Sequence, residues 1–76
     1  MAYIANTYTE EDVLEVIRAR IADADSLREV ARQVEMSPAY LSDIKLGRRG
    51  ISGEVAAKFG FERIVTTEIV FKKVAR

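Results

Sequence analysis

Basic side chains that could bind a polyanion are concentrated in the second half of the chain. Residues 37–76 hold eight Lys and Arg against four Asp and Glu, whereas residues 1–36 hold four bases against eight acids, so the net charges of the halves are +4 and −4. Three of the bases, Lys45, Arg48 and Arg49, lie close together. This asymmetry favours a surface that faces a polyanion, although chance and solvated faces would produce the same counts.

The side chains that usually carry enzymatic chemistry are scarce. The 76 residues include no cysteine and no histidine, which removes thiol nucleophiles, disulfides, the commonest general base and the commonest zinc ligands. Four carboxylates crowd one helix start, where the helix dipole explains them: Glu10, Glu11, Asp12 and Glu15. We therefore expect no catalytic residue, no metal or other cofactor and no small-molecule ligand. No apolar run approaches the roughly 18 residues of a membrane span, so we expect a cytoplasmic protein.

The chain has the length and composition of one small folded domain. Apolar residues make up 49% and charged residues 32%, a balance typical of globular proteins. A chain of 76 residues buries only roughly 60–65% of the surface that it exposes when unfolded. Self-association would therefore stabilise it.

Four short helices are predicted from hydroxyl N-caps that precede apolar residues at helical spacing. The capping residues are Thr9, Ser26, Ser37 and Ser52. The first helix is expected over about Glu10–Ala22, and Pro38 suits the first position of the third helix. Gly47 and Gly60 stand where a left-handed residue would end the third and fourth helices.

β-Structure is predicted near the end of the chain. Residues 63–74, RIVTTEIVFKKV, are rich in threonine and β-branched residues that alternate along the segment. A two-residue hairpin turn at Thr66 and Thr67 would require positive φ, which threonine tolerates poorly. We therefore favour one long strand over a hairpin. The unpaired edges of such a strand would make it a template for pairing. A further short strand is expected at Tyr3–Ala5.

Residues 27–46 show the spacing of two helices that cross at a short connection. Small Ala31 lies midway along the first helix, where the second helix must approach closely. Five apolar residues stand at the intervals that would hold the pair at a fixed angle: Val30, Val34, Met36, Leu41 and Ile44. This pattern is typical of a helix-turn-helix, in which the second helix turns its outer face toward the DNA major groove.

On these motifs the chain resembles the Cro/repressor class of helix-turn-helix DNA-binding proteins, especially small phage and prophage regulators. The resemblance covers roughly residues 9–61 and is greatest in the segment SPAYLSDIKLGRRG. Glu35 stands where the family usually has a left-handed glycine, a departure that costs roughly 1 kcal/mol. The resemblance implies a mainly α fold in a single domain over residues 1–76. Its parts would be a four-helix, lambda repressor-like head at 9–61 and a C-terminal β-strand at 62–76 that mediates dimerisation.

The resemblance also implies roles for individual residues in a complex with double-stranded DNA. The bases would be contacted from the recognition helix, residues 37–46, by Ser37, Pro38, Ala39, Ser42 and Asp43. The phosphates would be contacted by Ser26, Arg28, Tyr40, Lys45, Arg48 and Arg49. The dimer would form through Val65, Thr67, Ile69 and Phe71. No arginine or glutamine is among the base-facing residues, so bidentate base recognition is absent from this helix, and Asp43 could instead be solvated or paired with an arginine.

We therefore expect a transcriptional regulator, a Cro-like repressor that occupies a palindromic operator as a homodimer in a bacterial or phage-infected cell. The two recognition helices would lie about one DNA turn, roughly 34 Å, apart. The alternative is a protein–protein interaction module in which the 63–74 strand extends the sheet of a partner. Salt dependence separates the two, because only binding to phosphates weakens steeply with salt.

Overall fold

Hydroxyl side chains start all four helices of the part of the chain that the structure describes. In the computed structural model, which describes residues 7–74, each hydroxyl oxygen accepts a hydrogen bond from the backbone N–H three residues later. These bonds are Asp12 to Thr9, Glu29 to Ser26, Tyr40 to Ser37 and Val55 to Ser52, at 3.1, 3.1, 3.1 and 3.2 Å. The predicted helix starts are confirmed, because each cap satisfies a backbone donor that has no partner inside its own helix.

The fold is a small α/β domain of four helices and a three-stranded antiparallel sheet. In chain order the elements are β1 (Thr7–Tyr8), α1 (Glu10–Asp23), α2 (Leu27–Gln33), α3 (Pro38–Lys45), α4 (Gly53–Lys58), β2 (Phe61–Val65) and β3 (Ile69–Lys73). Helix α1 ends one residue beyond its predicted boundary. Within residues 7–74, no helix has the length and apolar character that crossing a membrane requires.

The end of the chain forms a β-hairpin. Strands β2 and β3 pair from Phe61 opposite Lys73 to Val65 opposite Ile69. The prediction of one long strand over residues 63–74 is therefore wrong. That prediction assumed a two-residue turn with positive φ, but residues 66–68 form a three-residue connection in which no φ is positive. The Thr66 N–H closes this connection by donating to the Glu68 carbonyl at 3.0 Å.

Strand β3 lies in the middle of the sheet, between β1 and β2. Strand β1 pairs with it through Thr7 opposite Lys72 and Tyr8 opposite Phe71. The sequence did not predict β1, since two residues are too short for an alternating pattern to be visible. The strand expected at Tyr3–Ala5 lies outside the described residues.

Sheet and helices share one hydrophobic core. Phe61 and Phe71 lie on the same face of the hairpin, and both are essentially buried with the inward residues of α1 and α3. The Tyr8 ring meets the Phe61 ring edge-on, with centroids 5.3 Å apart. Burying a phenylalanine side chain stabilises a fold by about 1.5–3 kcal/mol, so the hairpin contributes directly to the stability of the domain.

Candidate nucleic-acid interface

The connection between α2 and α3 is a Schellman-type helix end. The Met36 N–H donates to the Ala31 carbonyl at 2.8 Å, and the Glu35 N–H donates to the Arg32 carbonyl at 3.2 Å. Glu35 has φ +59° and is the single non-glycine residue of the described chain with positive φ. The left-handed conformation expected at Glu35 is confirmed, and it lets α3 begin only a few residues after α2 ends.

Lys58, the last residue of α4, supports this connection from outside. Its Nζ donates to the carbonyls of Val34 and Glu35 at 3.0 and 3.4 Å. Carbonyls at a helix C-terminus lack partners within the helix, so this ammonium group stabilises the turn at which Glu35 carries strain. Sequence reasoning missed Lys58, because nothing local marks a lysine that reaches back 23 or 24 residues.

The buried side of α3 determines which side faces outward. Leu41 and Ile44 are fully buried in the core, and Ala31 of α2 is fully buried where the two helices pack. Arg18 of α1 holds the far end of α3, because its Nε donates to the Lys45 carbonyl at 2.9 Å. The helix is therefore fastened at both ends as well as along its apolar side.

An outward stripe lies on the opposite side of α3. Its members recur at helical spacing i, i+3, i+4 and i+7 and are Ala39, Ser42, Asp43 and Leu46. Ala39 is exposed, Ser42 and Asp43 are partly exposed, and Leu46 is 54% exposed although it is large and apolar. Sequence reasoning missed Leu46, yet its spacing from Ala39 was a signal that could have found it.

The loop that follows α3 is restrained at both of its ends. Gly47 has φ +80°, and the Arg48 N–H turns back to the Asp43 carbonyl at 2.8 Å, which makes a second Schellman-type end. At the other end the Ile51 N–H donates to the Glu10 carboxylate at 2.6 Å. A Cβ at Gly50 would lie 3.0 Å from the same carboxylate oxygen, so a larger residue there would push the Glu10 side chain by a few tenths of an ångström. Residues 47–51 are thus held between α3 and α1.

Both arginines of this loop turn toward α3. Arg48 Nη1 lies 3.7 Å from Asp43 Oδ1, and Arg49 Nε lies 3.5 Å from Asp43 Oδ2. The Arg49 guanidinium also lies over the Tyr40 ring, 4.7 Å from its centroid. Asp43 therefore shows the arginine-paired state that the sequence left open. It is not a free acceptor for a base in this structure.

The remaining residues expected at DNA lie on α3 and at the start of α2. The Ser37 hydroxyl oxygen caps α3, Pro38 and Tyr40 are half-buried, and the Lys45 side chain is exposed. Ser26 caps α2 in the same way as Ser37 caps α3, and Arg28 is exposed in the first turn of α2. The structure thus brings Tyr40, Arg48 and Arg49 together around Asp43.

A separate ion pair lies on α2. Glu29 accepts hydrogen bonds from Arg32 and Gln33, and these bonds, with that from Arg32 the largest cause, hold the pKa of the Glu29 carboxyl below its ordinary value. The same contact raises the pKa of the Arg32 guanidinium. Both groups are exposed to solvent, so this pair has a small effect on stability.

The residues expected at the dimer contact are divided between surface and core. Val65 and Ile69 face each other across the end of the hairpin and are 58% and 46% exposed, and Thr67 lies in the exposed connection. Phe71, in contrast, is fully buried within the domain. It has no surface to offer a second copy, because it occupies the face of β3 that covers the helices.

Among residues 7–74, no group of carboxylates is placed to hold a metal ion. No protein-family model, curated protein sequence or solved structure gives a significant match to this chain. The inferences about function therefore rest on the geometry described above.

Proposed function

We propose that this protein is a sequence-specific DNA-binding regulator of the helix-turn-helix type, which binds a palindromic operator as a homodimer and inserts α3 into the major groove. The observation that carries the proposal is the outward stripe of Ala39, Ser42, Asp43 and Leu46 beside a basic loop that is held in place. A Cro-like repressor is the form of regulator that this arrangement supports best.

The stripe has the shape that a groove-reading helix needs. A helix is about 10–12 Å in diameter and the major groove is about 12 Å wide, so short outward side chains allow the helix backbone to approach the base edges. Ala39 and Leu46 can contact thymine methyl groups, and the Ser42 hydroxyl can bond to several base edges. An exposed leucine at this position gains a binding partner in the groove that it lacks in the free protein.

The charges around the stripe suit the DNA backbone. Lys45, Arg48 and Arg49 are exposed at the end of α3, and Asp43 is the acid closest to the two arginines. Because the loop backbone is held by Glu10 and by the turn at Gly47, little backbone entropy of the loop is lost on binding. Phosphate contacts from such a loop would orient α3 in the groove.

The proposed dimer uses the exposed end of the hairpin. Val65 and Ile69 form an apolar pair that extends beyond the core, and the outer edge of β2 has no paired strand among the described residues. Two copies that meet along this edge would cover the apolar pair and join their sheets. A single α3 with few polar contacts would bind weakly, so two half-sites would be needed for useful affinity.

The test is selection of bound duplexes from a random DNA pool, followed by titration of the recovered site at several salt concentrations. We expect a palindrome and an affinity that falls with salt with a slope of about −0.9 per neutralised phosphate. Arg48→Ala removes one phosphate contact from each subunit of the dimer and should reduce the magnitude of this slope by about two units. The matched control Lys73→Ala removes an exposed charge from β3 and should leave the slope unchanged. A pool without an enriched site would refute the proposal.

The dimer has its own test by sedimentation. Val65→Asp should convert the dimer to a monomer, because a carboxylate would be buried without a partner in the joined sheets. Val16→Asp is the control, since Val16 is a valine of α1 and not of the hairpin, and it is 42% exposed. A Val65→Asp protein that remains dimeric would exclude this surface.

The second candidate function is a module that pairs β2 with an extended segment of another protein. The unpaired outer edge of β2 within the described residues favours it. Such binding would be insensitive to Arg48→Ala and would depend little on salt, so the same titrations distinguish the two functions.

A further inference from the structure

We propose that Arg49 reads a guanine base in the major groove, rather than a phosphate. This inference rests on the proposed function and deepens it, because it names a base that the operator must contain and the residue that selects it. It also supplies the bidentate contact that the outward residues of α3 lack.

The position of the guanidinium group supports this assignment. Tyr40 and Asp43 are three residues apart on α3 and so lie on one side of the helix. Arg49 reaches both, with its guanidinium carbon 4.7 Å from the Tyr40 ring centroid and its Nε 3.5 Å from Asp43 Oδ2. The arginine therefore lies beside the helix that would enter the groove, although its own backbone belongs to the loop.

The orientation of the group leaves a suitable edge free. Asp43 faces Nε, so the two terminal Nη atoms remain available at the other end of the planar guanidinium. Guanine presents two adjacent acceptors in the major groove, O6 and N7, and this pair matches two parallel N–H donors. The contact with the Tyr40 ring limits the movement of the guanidinium, and the Arg49 side chain remains 54% exposed. Asp43 and Tyr40 act as positioning residues that hold this donor edge.

Arg48 differs from Arg49 in the guanidinium atom that faces Asp43. Arg48 faces Asp43 with a terminal Nη atom, 3.7 Å from Oδ1, so the end of its guanidinium that could pair with a base points toward the carboxylate, and its side chain is 70% exposed. Arg49 also lies over the Tyr40 ring, which holds it beside α3, whereas the more exposed Arg48 side chain suits a phosphate at the edge of the groove. Arg48 is therefore assigned to the backbone and Arg49 to a base.

The experiment compares the sites selected from a random duplex pool by the wild type, Arg49→Ala and Arg48→Ala. We expect one guanine in each half-site that the Arg49→Ala protein no longer selects, with the other positions unchanged. Arg48→Ala should keep the full site preference and bind every sequence more weakly. Both arginines are exposed, and thermal unfolding will verify that the variants are folded.

A modified base then tests the contact itself. Replacing that guanine by 7-deazaguanine removes the N7 acceptor and keeps the base pair. The wild type should lose affinity, by less than the roughly 5- to 150-fold that a whole bidentate contact is worth because O6 remains, and Arg49→Ala should lose nothing further. Asp43→Asn should weaken the preference for guanine without abolishing it. The variant removes the charge that holds Arg49 Nε, but Arg49 itself remains able to contact the base.

Other outcomes would overturn the inference in distinguishable ways. If Arg49→Ala selects the same site as the wild type and only flattens the salt dependence, Arg49 binds a phosphate and the proposed function survives. A wild-type site that contains no guanine would also overturn this inference and leave the proposed function intact. If the wild type selects no site, the proposed function fails and this inference fails with it.

Discussion

Replacing Glu35 by glycine should stabilise the protein, because the turn between α2 and α3 holds this residue at φ +59°. An L-residue in the left-handed region is strained by contacts between its Cβ and the backbone, and glycine has no Cβ. The hydrogen bonds of this turn are all made by backbone groups or by Lys58, so the Glu35 side chain is not needed to form it. The substitution thus relieves strain and leaves the geometry in place.

The expected gain is the difference between two opposing effects. Removing left-handed strain is worth about 1–2 kcal/mol, and the extra freedom of glycine in the unfolded chain costs about 0.4–1 kcal/mol. The net free energy of unfolding should therefore rise by about 0.5–1 kcal/mol. For a domain of this size such a change raises the Tm by about 2–8 °C.

Urea unfolding and thermal melts of Glu35→Gly, Glu35→Ala and the wild type measure this gain. Alanine keeps the Cβ and removes the charge, so Glu35→Ala should gain little. Equal stabilisation by alanine and glycine would refute the explanation by backbone strain and would indicate that the Glu35 charge was responsible.

Three further predictions concern the outward stripe, the anchor of the basic loop and the ion pair on α2. Leu46→Ala should weaken operator binding, and replacing thymine by uracil in the site should weaken binding of the wild type but not of this variant; equal losses would exclude a methyl contact. Glu10→Ala should lower stability by about 1 kcal/mol and loosen the basic loop, because it removes the acceptor of the part-buried Ile51 N–H, whereas Glu10→Gln keeps an acceptor and should restore most of the loss. The pKa of Glu29, measured by NMR, should lie below its ordinary 4.5 and return toward it in Arg32→Met. Since this pKa is lowered by folding, the stabilisation is present at neutral pH and is lost as the pH falls through the folded-state pKa.

The helix starts and the left-handed positions could be predicted from the sequence, because each depends on residues only a few positions apart. The Ser37 hydroxyl accepts from a donor three residues away, and the turn at Gly47 ends α3 through backbone bonds that span three and five residues. The apolar spacing of Leu41 and Ile44 similarly indicated the buried side of α3. Local chemistry of this kind is nearly independent of the rest of the chain.

Only the tertiary structure decided the form of the sheet and the placement of the loop. Residues 61–73 form a hairpin and not one strand because both Phe61 and Phe71 are buried in the same core. Both can reach that core when β3 folds back on β2, and this depends on the rest of the domain. Arg49 lies over Tyr40 because the turn at Gly47 and the anchor at Glu10 return the loop to α3, and that anchor joins residues 41 positions apart. Long-range contacts of this kind stabilise the fold only after the loops between them have closed, so no short stretch of sequence specifies them.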